Sequence, residues 1–270
     1  MVFILMVLCR LLRHGLDPNP ARFMPGLVPG RRADSGTRQN RYISVFLHWN
    51  MATQQSAILF GATGLIGGHL LQELLNSPVY AAVTIVVRRD TGVRHAKLSQ
   101  LFADHQSLDN IREQLRGDHI FCCVGTTKKK TPDLDEYYRI DHDYPVAAAQ
   151  YTKDNGASAF LLVSAVGANP ASSNFYLRMK GETERDIIRL GFEQTHVFRP
   201  SLLTGNRREK RGMESLGSAI FKVINPLLIN GLSKYKAIPA AWVSKALCRV
   251  AITGEQGVHT YHWADIKKRI

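Results

Sequence analysis

The chain has 270 residues, which is enough for one large α/β domain or two small ones. Hydrophobic residues make up 45% of it, so it can bury a sizeable core, and the sequence shows no low-complexity segment and no internal repeat. The formal net charge of +13 permits an anionic partner, such as a nucleotide phosphate, a nucleic acid or an acidic membrane surface.

Residues 1–50 differ in character from the rest of the chain. The apolar run at 1–9 is far shorter than the ~20 residues that a membrane span needs, and it lacks the basic start of a secretory signal. Residues 17–36 are rich in Pro, Gly and Arg, which is typical of unstructured chain. We expect 1–50 to be a disordered or non-native extension, with a targeting segment as the alternative, and 51–270 to form the folded domain.

The first predicted strand leads through a glycine-rich turn into a helix. The apolar run at 57–60 predicts a buried strand, and leucines at helical spacing from Leu65 onward predict a helix. Free N–H groups and the helix dipole favour a phosphate at such a helix start. Gly61 suits a tight turn, Gly64 a close approach to a pyrophosphate, and Gly67 close packing of the helix on the strand. A bare strand-to-helix turn is the alternative, because the spacing is GxxGxxG and not GxGxxG.

The second strand, predicted at 83–87 from its β-branched residues, ends in two arginines. NAD-binding folds usually place an acidic residue there, on the 2′-hydroxyl of the ribose. Arg88 and Arg89 suit a 2′-phosphate instead, through bidentate charge-assisted hydrogen bonds. The sequence therefore favours NADP as the cofactor, while Asp90 keeps NAD possible and a solvated basic turn is the alternative.

Two further strands are predicted at 98–102 and 120–124, separated by a helical segment at 108–115. The second of them runs into a small, hydroxyl-bearing turn of Gly125, Thr126 and Thr127, which would pass beside the adenosine half of a dinucleotide. Cys122 and Cys123 would point to opposite faces of that strand, so we expect them to be buried and unbonded. The four cysteines form no CxxC pair, which fits a reducing cytoplasm, and the ten histidines show no metal-ligand spacing, so no metal is expected.

The chain continues to alternate helices with strands. A helix is predicted at 137–154, with a bend near Pro145, and a fifth strand at 160–163 ends at Ser164. A sixth strand at 197–198 runs into Arg199 and Pro200. This order predicts an α/β fold with a doubly wound, parallel Rossmann sheet.

The last third of the sequence is less regular. It contains a basic cluster at 206–211, an apolar helix at 217–229 broken at Pro226, an amphipathic helix at 240–252 and an edge strand at 258–263. From about residue 205 we expect a small C-terminal substrate lobe that closes the cleft.

Ser164, Tyr176 and Lys180 form the candidate catalytic set. Tyr176 and Lys180 are four residues apart, so on a helix they share one face. A free tyrosine has a pKa near ~10, and a cation one turn away stabilises the phenolate and so makes tyrosine a usable acid or base. Ser164, at the end of the fifth strand, could hold a substrate oxygen by a hydrogen bond.

These segments resemble the short-chain dehydrogenase/reductase superfamily. GATGLIG, the serine of LVSAVGA and YLRMK match its cofactor turn, catalytic serine and Tyr-xxx-Lys motif. CCVGTTKKK, SAVGANPASSNFYLRMKGETE and VFRPSLLTGNRREKR are similar to the atypical branch related to Tat-interacting proteins, which is nucleoside-diphosphate-sugar epimerase-like. The resemblance covers about residues 55–265.

The resemblance implies a role for each matching residue. Tyr176 would be the general acid/base, Lys180 would bind the nicotinamide ribose, and Ser164 would orient the substrate. Many relatives extend the proton relay with an asparagine before the fifth strand, where this chain has Asp141. The residues expected to line the dinucleotide are Gly61, Thr63, Gly64, Leu65, Ile66, Gly67, Arg88, Arg89, Gly125, Thr126, Thr127, Tyr176, Lys180, Arg199 and Pro200.

Two classes of function follow from the sequence. The first is an NADP-dependent oxidoreductase acting on an unidentified small molecule in the cytoplasm, with a sugar-nucleotide epimerase or dehydratase as the alternative enzyme. The second is a regulatory protein that senses NADPH with little turnover. Nucleic acid is not an expected partner, because the basic clusters are short and lack interleaved aromatic residues, and the sequence allows a monomer or a dimer.

Overall fold

The computed structural model describes residues 54–205 and 230–270. The predictions made for residues 1–50, for the basic cluster at 206–211 and for the helix at 217–229 lie outside these residues. The strands are β1 (Gln55–Phe60), β2 (Tyr80–Val87), β3 (Leu98–Phe102), β4 (His119–Cys122), β5 (Ala159–Val163), β6 (Gln194–Phe198), β7 (Leu203–Thr204), β8 (Ile238–Pro239) and β9 (Gly257–Tyr261).

The helices alternate with these strands. They are α1 (Leu65–Asn76), α2 (Leu134–Tyr138), α3 (Tyr144–Asp154), α4 (Phe175–Arg189), α5 (Ala240–Thr253) and α6 (Trp263–Lys267). Short 3₁₀ helices occupy Leu108–Gln114 and Asn230–Tyr235.

Seven strands form one parallel sheet in the order β3-β2-β1-β4-β5-β6-β9. The strand order reverses between β1 and β4, which leaves a crevice at their carboxyl ends, where open α/β sheets bind ligands. The predicted doubly wound Rossmann fold is confirmed.

Two apolar layers cover the faces of the sheet. On one face α1 and α5 pack together over Leu59, Ile85 and Phe121. On the other face α3 covers Ile58, Phe60 and their neighbours. Cys122 lies in the second layer while Cys123 packs against the first, and both are free thiols, as the alternation of the strand predicts.

The C-terminal region contributes more to the main sheet than the sequence indicates. The predicted helix at 240–252 is α5, which packs on α1, and the predicted edge strand is β9, which pairs with β6 as the seventh strand. Among the strands of the described residues, β7 and β8 pair in a separate, two-stranded sheet. Strand β9 ends at Tyr261 and not at residue 263 as predicted, because α6 begins at Trp263.

The helix predicted at 137–154 consists of three parts. It begins earlier, at Leu134, and a π-helical turn over Arg139–Asp143 separates α2 from α3. Pro145 has no N–H, so it cannot donate to the carbonyl of Asp141 four residues earlier. The hydroxyl of Thr183 lies 3.1 Å from that carbonyl oxygen and 2.8 Å from the carbonyl oxygen of Met179, and serves both as a shared donor. The predicted bend is therefore a π-bulge, whose freed carbonyl is satisfied by α4.

Candidate active site

The turn after β1 requires glycine at two positions. Gly61 has φ of +81°, and a Cβ there would lie 2.6 Å from the carbonyl oxygen of Cys123 at the end of β4. A Cβ on Gly67 would lie 2.1 Å from the carbonyl oxygen of Gly61. Neither position has room for a side chain, because α1 packs directly on the turn and the turn lies against β4.

The start of α1 is suited to an anion. Gly64 is the N-cap residue, it offers no side-chain cap, and the first turn carries no acidic residue. Thr63 and Gly64 are exposed, whereas the side chain of Ile66 is buried in the core, so Ile66 can offer a ligand only its N–H. With Leu65 half-buried beside them, these residues form an open N-terminus. The Gly64 N–H donates to the Gly61 carbonyl at 3.0 Å, and the next N–H groups stand at the start of the helix, where helix geometry supplies no intrahelical acceptor and the dipole favours a phosphate.

Two exposed cations follow β2. Arg88 and Arg89 are solvent-exposed, and within residues 54–205 and 230–270 neither forms an ion pair. The carboxylate of the neighbouring Asp90 is hydrogen-bonded within its own loop. It accepts from Arg94 at 2.6 and 3.0 Å and from the Gly92 N–H at 2.9 Å. Arg94 lowers the pKa of Asp90, so the carboxylate stays ionised and paired.

The turn after β4 is held by hydrogen bonds to the π-helical turn. Asp141 Oδ1 accepts from the Thr126 N–H at 2.7 Å, and the hydroxyls of Thr126 and Thr131 lie 2.9 Å apart. Gly125 is exposed, while Thr127 accepts hydrogen bonds on its carbonyl from the Lys130 and Thr131 N–H groups. This tight turn lies at the same edge of the sheet as Gly61.

Ser164, Tyr176 and Lys180 come from β5 and α4. Ser164 follows β5, where its N–H donates to the Phe198 carbonyl at 2.7 Å. Its hydroxyl is buried and has no hydrogen-bond partner among the described residues, so it is available to a ligand. Tyr176 is 37% exposed at the start of α4, and Lys180, one turn further, is 5% exposed.

Lys180 is paired with a buried acid. Its Nζ lies 3.0 Å from Oδ2 of Asp141, which is 1% exposed. Burial lowers the pKa of Lys180, but the charge of Asp141, together with Tyr176 and Cys122, outweighs burial and raises that pKa above its usual value. The ammonium form is therefore held next to Tyr176.

Two of the residues predicted for the cofactor lie in other roles. The Arg199 guanidinium forms a bidentate pair with Glu184, a buried acid of α4. Pro200 is buried, and its carbonyl accepts from the Val166 N–H at 3.0 Å. Contact of Arg199 and Pro200 with a cofactor stays a prediction.

Sequence reasoning missed two residues that shape the site. Glu184 neutralises Arg199, and its spacing of four residues from Lys180 was the available signal. Gly181 has no space for a Cβ, which would lie 2.2 Å from the backbone nitrogen of Pro170. No pattern of glycines identifies it, since it stands alone inside a helix. It lets the loop after β5 pack against α4 next to Lys180.

Within the described ranges, no helix is long and apolar enough to cross a membrane, and no group of three or more His, Cys, Asp or Glu side chains could hold a metal.

A family model described as NAD(P)H-binding matches residues 61–220, more than half of the chain. Protein HTATIP2 of Rattus norvegicus is 31% identical over 207 residues, which cover 75% of this chain and 84% of that protein. Protein FMP52, mitochondrial, of Candida albicans is 33% identical over 208 residues, covering 75% and 90%.

Solved structures with the same fold are more distant in sequence. MoeE5 in complex with UDP-glucose and NAD superposes with a TM-score of 0.58 at 19% identity, over 76% of this chain and 74% of that one. A UDP-N-acetylglucosamine 4-epimerase from Methanobrevibacter ruminantium superposes with a TM-score of 0.58 at 18% identity, over 78% of this chain and 77% of that one. Together with the glycine turn and the Ser-Tyr-Lys set, the family match shows that this chain belongs to the NAD(P)H-binding family, in the atypical branch of the short-chain dehydrogenase/reductase superfamily.

Proposed function

We propose that the chain is an NADP-dependent oxidoreductase, which moves a hydride between the nicotinamide C4 and a carbonyl or alcohol carbon of a small molecule. The observation that carries the proposal is the buried ammonium of Lys180, one helical turn from the exposed phenol of Tyr176. A protein that only sensed a nucleotide would have no need of a buried cation beside a phenol. The unpartnered hydroxyl of Ser164 adds a donor for a substrate oxygen.

Each residue has one task in this proposal. NADPH supplies the hydride when bound. In the direction of reduction, Tyr176 donates its hydroxyl proton to the carbonyl oxygen as hydride reaches the carbon, which leaves a phenolate and an alcohol. Lys180 stabilises the phenolate and holds the nicotinamide ribose. Ser164 hydrogen-bonds the reacting oxygen and fixes its orientation.

The preference for NADP rests on the end of β2. Arg88 and Arg89 are exposed and free of ion pairs within the described part of the chain, so both guanidiniums are available to a 2′-phosphate. Asp90, the acid that could instead accept from a ribose hydroxyl, is already bonded to Arg94 and to Gln100 at 2.9 Å.

The test is a metabolite-library screen that follows NADPH absorbance, and then kinetics on variants. Tyr176→Phe keeps the ring and removes the acid, so turnover should fall by about 10²–10⁴ with nucleotide affinity little changed. Lys180→Met should weaken both turnover and binding, and Ser164→Ala should lower turnover alone. Tyr138→Phe is the matched control, because that hydroxyl bonds Glu182 at 3.1 Å. Wild-type turnover in Tyr176→Phe would refute the catalytic role and favour an NADPH-sensing protein.

A sugar-nucleotide epimerase or dehydratase is the second candidate, since complexes with UDP-sugars occur among the structures of this fold. Such an enzyme restores its cofactor within each cycle. A nucleotide that copurifies with the chain and shows no net change in absorbance during turnover would favour this candidate over the oxidoreductase.

The partner we infer is a small molecule, with no nucleic acid. The cytoplasmic location stays a prediction, and the names of several relatives place those proteins in mitochondria. Fractionation of cells expressing the full chain distinguishes the two locations.

A further inference from the structure

Asp141 joins two parts of the candidate site. One carboxylate oxygen lies 3.0 Å from the Lys180 ammonium, and the other accepts the Thr126 N–H at 2.7 Å. Lys180 belongs to α4, whereas Thr126 belongs to the turn after β4. The carboxylate is 1% exposed, so water does not compete for these bonds.

The backbone holds Asp141 in this place. Pro145 frees the carbonyl of Asp141 from the helical ladder, and Thr183 of α4 donates to it at 3.1 Å. Thr183 is 1% exposed and lies three residues after Lys180, on the same helix. α4 therefore contacts both the main chain and the side chain of Asp141.

The carboxylate also determines the charge of the site. A lysine as deeply buried as Lys180 would lose its proton readily, because burial disfavours the ammonium. The groups that act on it are Asp141 from the π-helical turn, Tyr176 from its own helix and Cys122 from β4. Burial raises the pKa of the Cys122 thiol to about 11, so the thiol is neutral at pH 7 and Asp141 is the compensating charge.

We propose that Asp141 is a positioning residue, which holds the Lys180 ammonium charged and in place and fastens the Gly125–Thr127 turn to the same point. This proposal rests on the proposed function, because it assumes that Lys180 and the Gly125–Thr127 turn both contact the bound cofactor. Asp141 itself touches neither cofactor nor substrate. Without the charge of Asp141, the Lys180 ammonium should lose its proton more easily. An asparagine at position 141 removes this charge and keeps a side-chain oxygen that can accept from the Thr126 N–H.

The first test is independent of any ligand. Lysines labelled with ¹³C at Cε are titrated by NMR in the wild type and in Asp141→Asn, and Lys180→Met identifies the signal of Lys180. In the wild type this amine should stay protonated after the exposed lysines have lost half their protons. In Asp141→Asn it should lose its proton before them, since burial then acts without the charge of Asp141, which is the largest of the groups that oppose it. Asp143→Asn, an exposed acid in the same π-helical turn, is the control and should leave the titration unchanged.

Two outcomes of this test would overturn the proposal. One is a wild-type Lys180 that titrates together with the exposed lysines, a result that needs no folded variant. The other is an unchanged Lys180 titration in folded Asp141→Asn.

The second test measures NADPH affinity between pH 7 and 9.5 by fluorescence. Wild-type affinity should be flat over this range. In Asp141→Asn it should weaken as pH rises, by about 10-fold or more, as Lys180 loses its charge. The double variant Asp141→Asn/Lys180→Met should bind weakly with no such slope. Loss of stability alone would not create a new titration, so an equal and pH-independent loss in both variants would contradict the proposal.

The two proposals fail in different ways. A wild type that does not bind NADPH refutes the proposed function, while the lysine titration still decides the role of Asp141. If the wild type binds NADPH and the titration of Lys180 is unchanged in Asp141→Asn, only the positioning role of Asp141 is refuted.

Discussion

Adding one methyl group at Gly67 or at Gly68 should change stability in opposite directions. A Cβ at position 67 would lie 2.1 Å from the carbonyl oxygen of Gly61 and 3.0 Å from the Cα of Ala62. Non-bonded contacts are most favourable near ~3.5 Å, so α1 would have to move away by more than ~1 Å. Helix α1 buries Leu70 and Leu74 completely, so such a shift disturbs the core. We expect Gly67→Ala to cost about 1–3 kcal/mol or more, as overpacking does.

Gly68 is the matched control on the same helix. A Cβ there would meet only the carbonyl oxygen of Ala62 at 3.7 Å, which is an ordinary contact. Alanine is favoured over glycine in a helix interior by about 0.5–1 kcal/mol, so Gly68→Ala should stabilise the protein by roughly that amount.

Urea unfolding followed by far-UV circular dichroism compares the two variants with the wild type. The midpoint should fall for Gly67→Ala and rise slightly for Gly68→Ala, with similar slopes. Nucleotide affinity should fall for Gly67→Ala alone, because that change displaces the N-terminus of α1. Equal stability of the two variants would refute the reasoning, since they differ only in the space around the added methyl group.

Three further predictions concern cofactor choice, domain boundary and pH. Titration should show that NADPH binds more tightly than NADH, by about 1–3 kcal/mol. Equal affinities for the two nucleotides, or a preference between them that is unchanged in Arg88→Ala, would refute the NADP assignment. A chain that starts at Met51 should bind nucleotide and melt near the temperature of the full chain, whereas a large loss on truncation would move the boundary. Burial, with the charges of His259 and Arg269, lowers the pKa of His196 to about 4. Between pH ~6.5 and 4 the unfolded chain therefore binds a proton that the folded chain does not, and stability should fall by up to roughly 3 kcal/mol as pH falls. In urea unfolding, His196→Asn should lose less between pH 7 and 5, and an equal loss would show that another group titrates.

The order of strands and helices could be predicted because the inner strands of the sheet are largely buried on both faces, whereas the edge strands β3 and β9 are more exposed. The apolar runs at β1, β2 and β5 are short, bounded by turns and separated by helical segments, which is the pattern of a parallel sheet. Boundaries were less accurate. β6 begins at Gln194, because the sheet buries Thr195 and His196, polar residues that no apolar pattern identifies.

The glycine turn after β1 was predictable because its constraint is local, while its contact with a cofactor stays a prediction. Gly61, Gly64 and Gly67 stand close together in sequence and act on one another's backbone. The ion pair between Lys180 and Asp141 could not be predicted in this way, since Asp141 is 39 residues away and its position depends on the π-bulge before Pro145. Sequence alone placed Asp141 near the site but could not distinguish it from the exposed Asp143, two residues later.

The Lys180–Asp141 pair is better explained by the site than by stability. Replacing a buried ion pair with apolar residues of similar volume is often neutral, or stabilising by about 1–4 kcal/mol. Cys122, which acts on Lys180, is fully buried in an apolar layer of the core. A chain under selection for stability alone would have no reason to keep two charges there. Their position at the carboxyl edge of the sheet, between Tyr176 and the Thr126 turn, is where a fixed cation can act on a ligand.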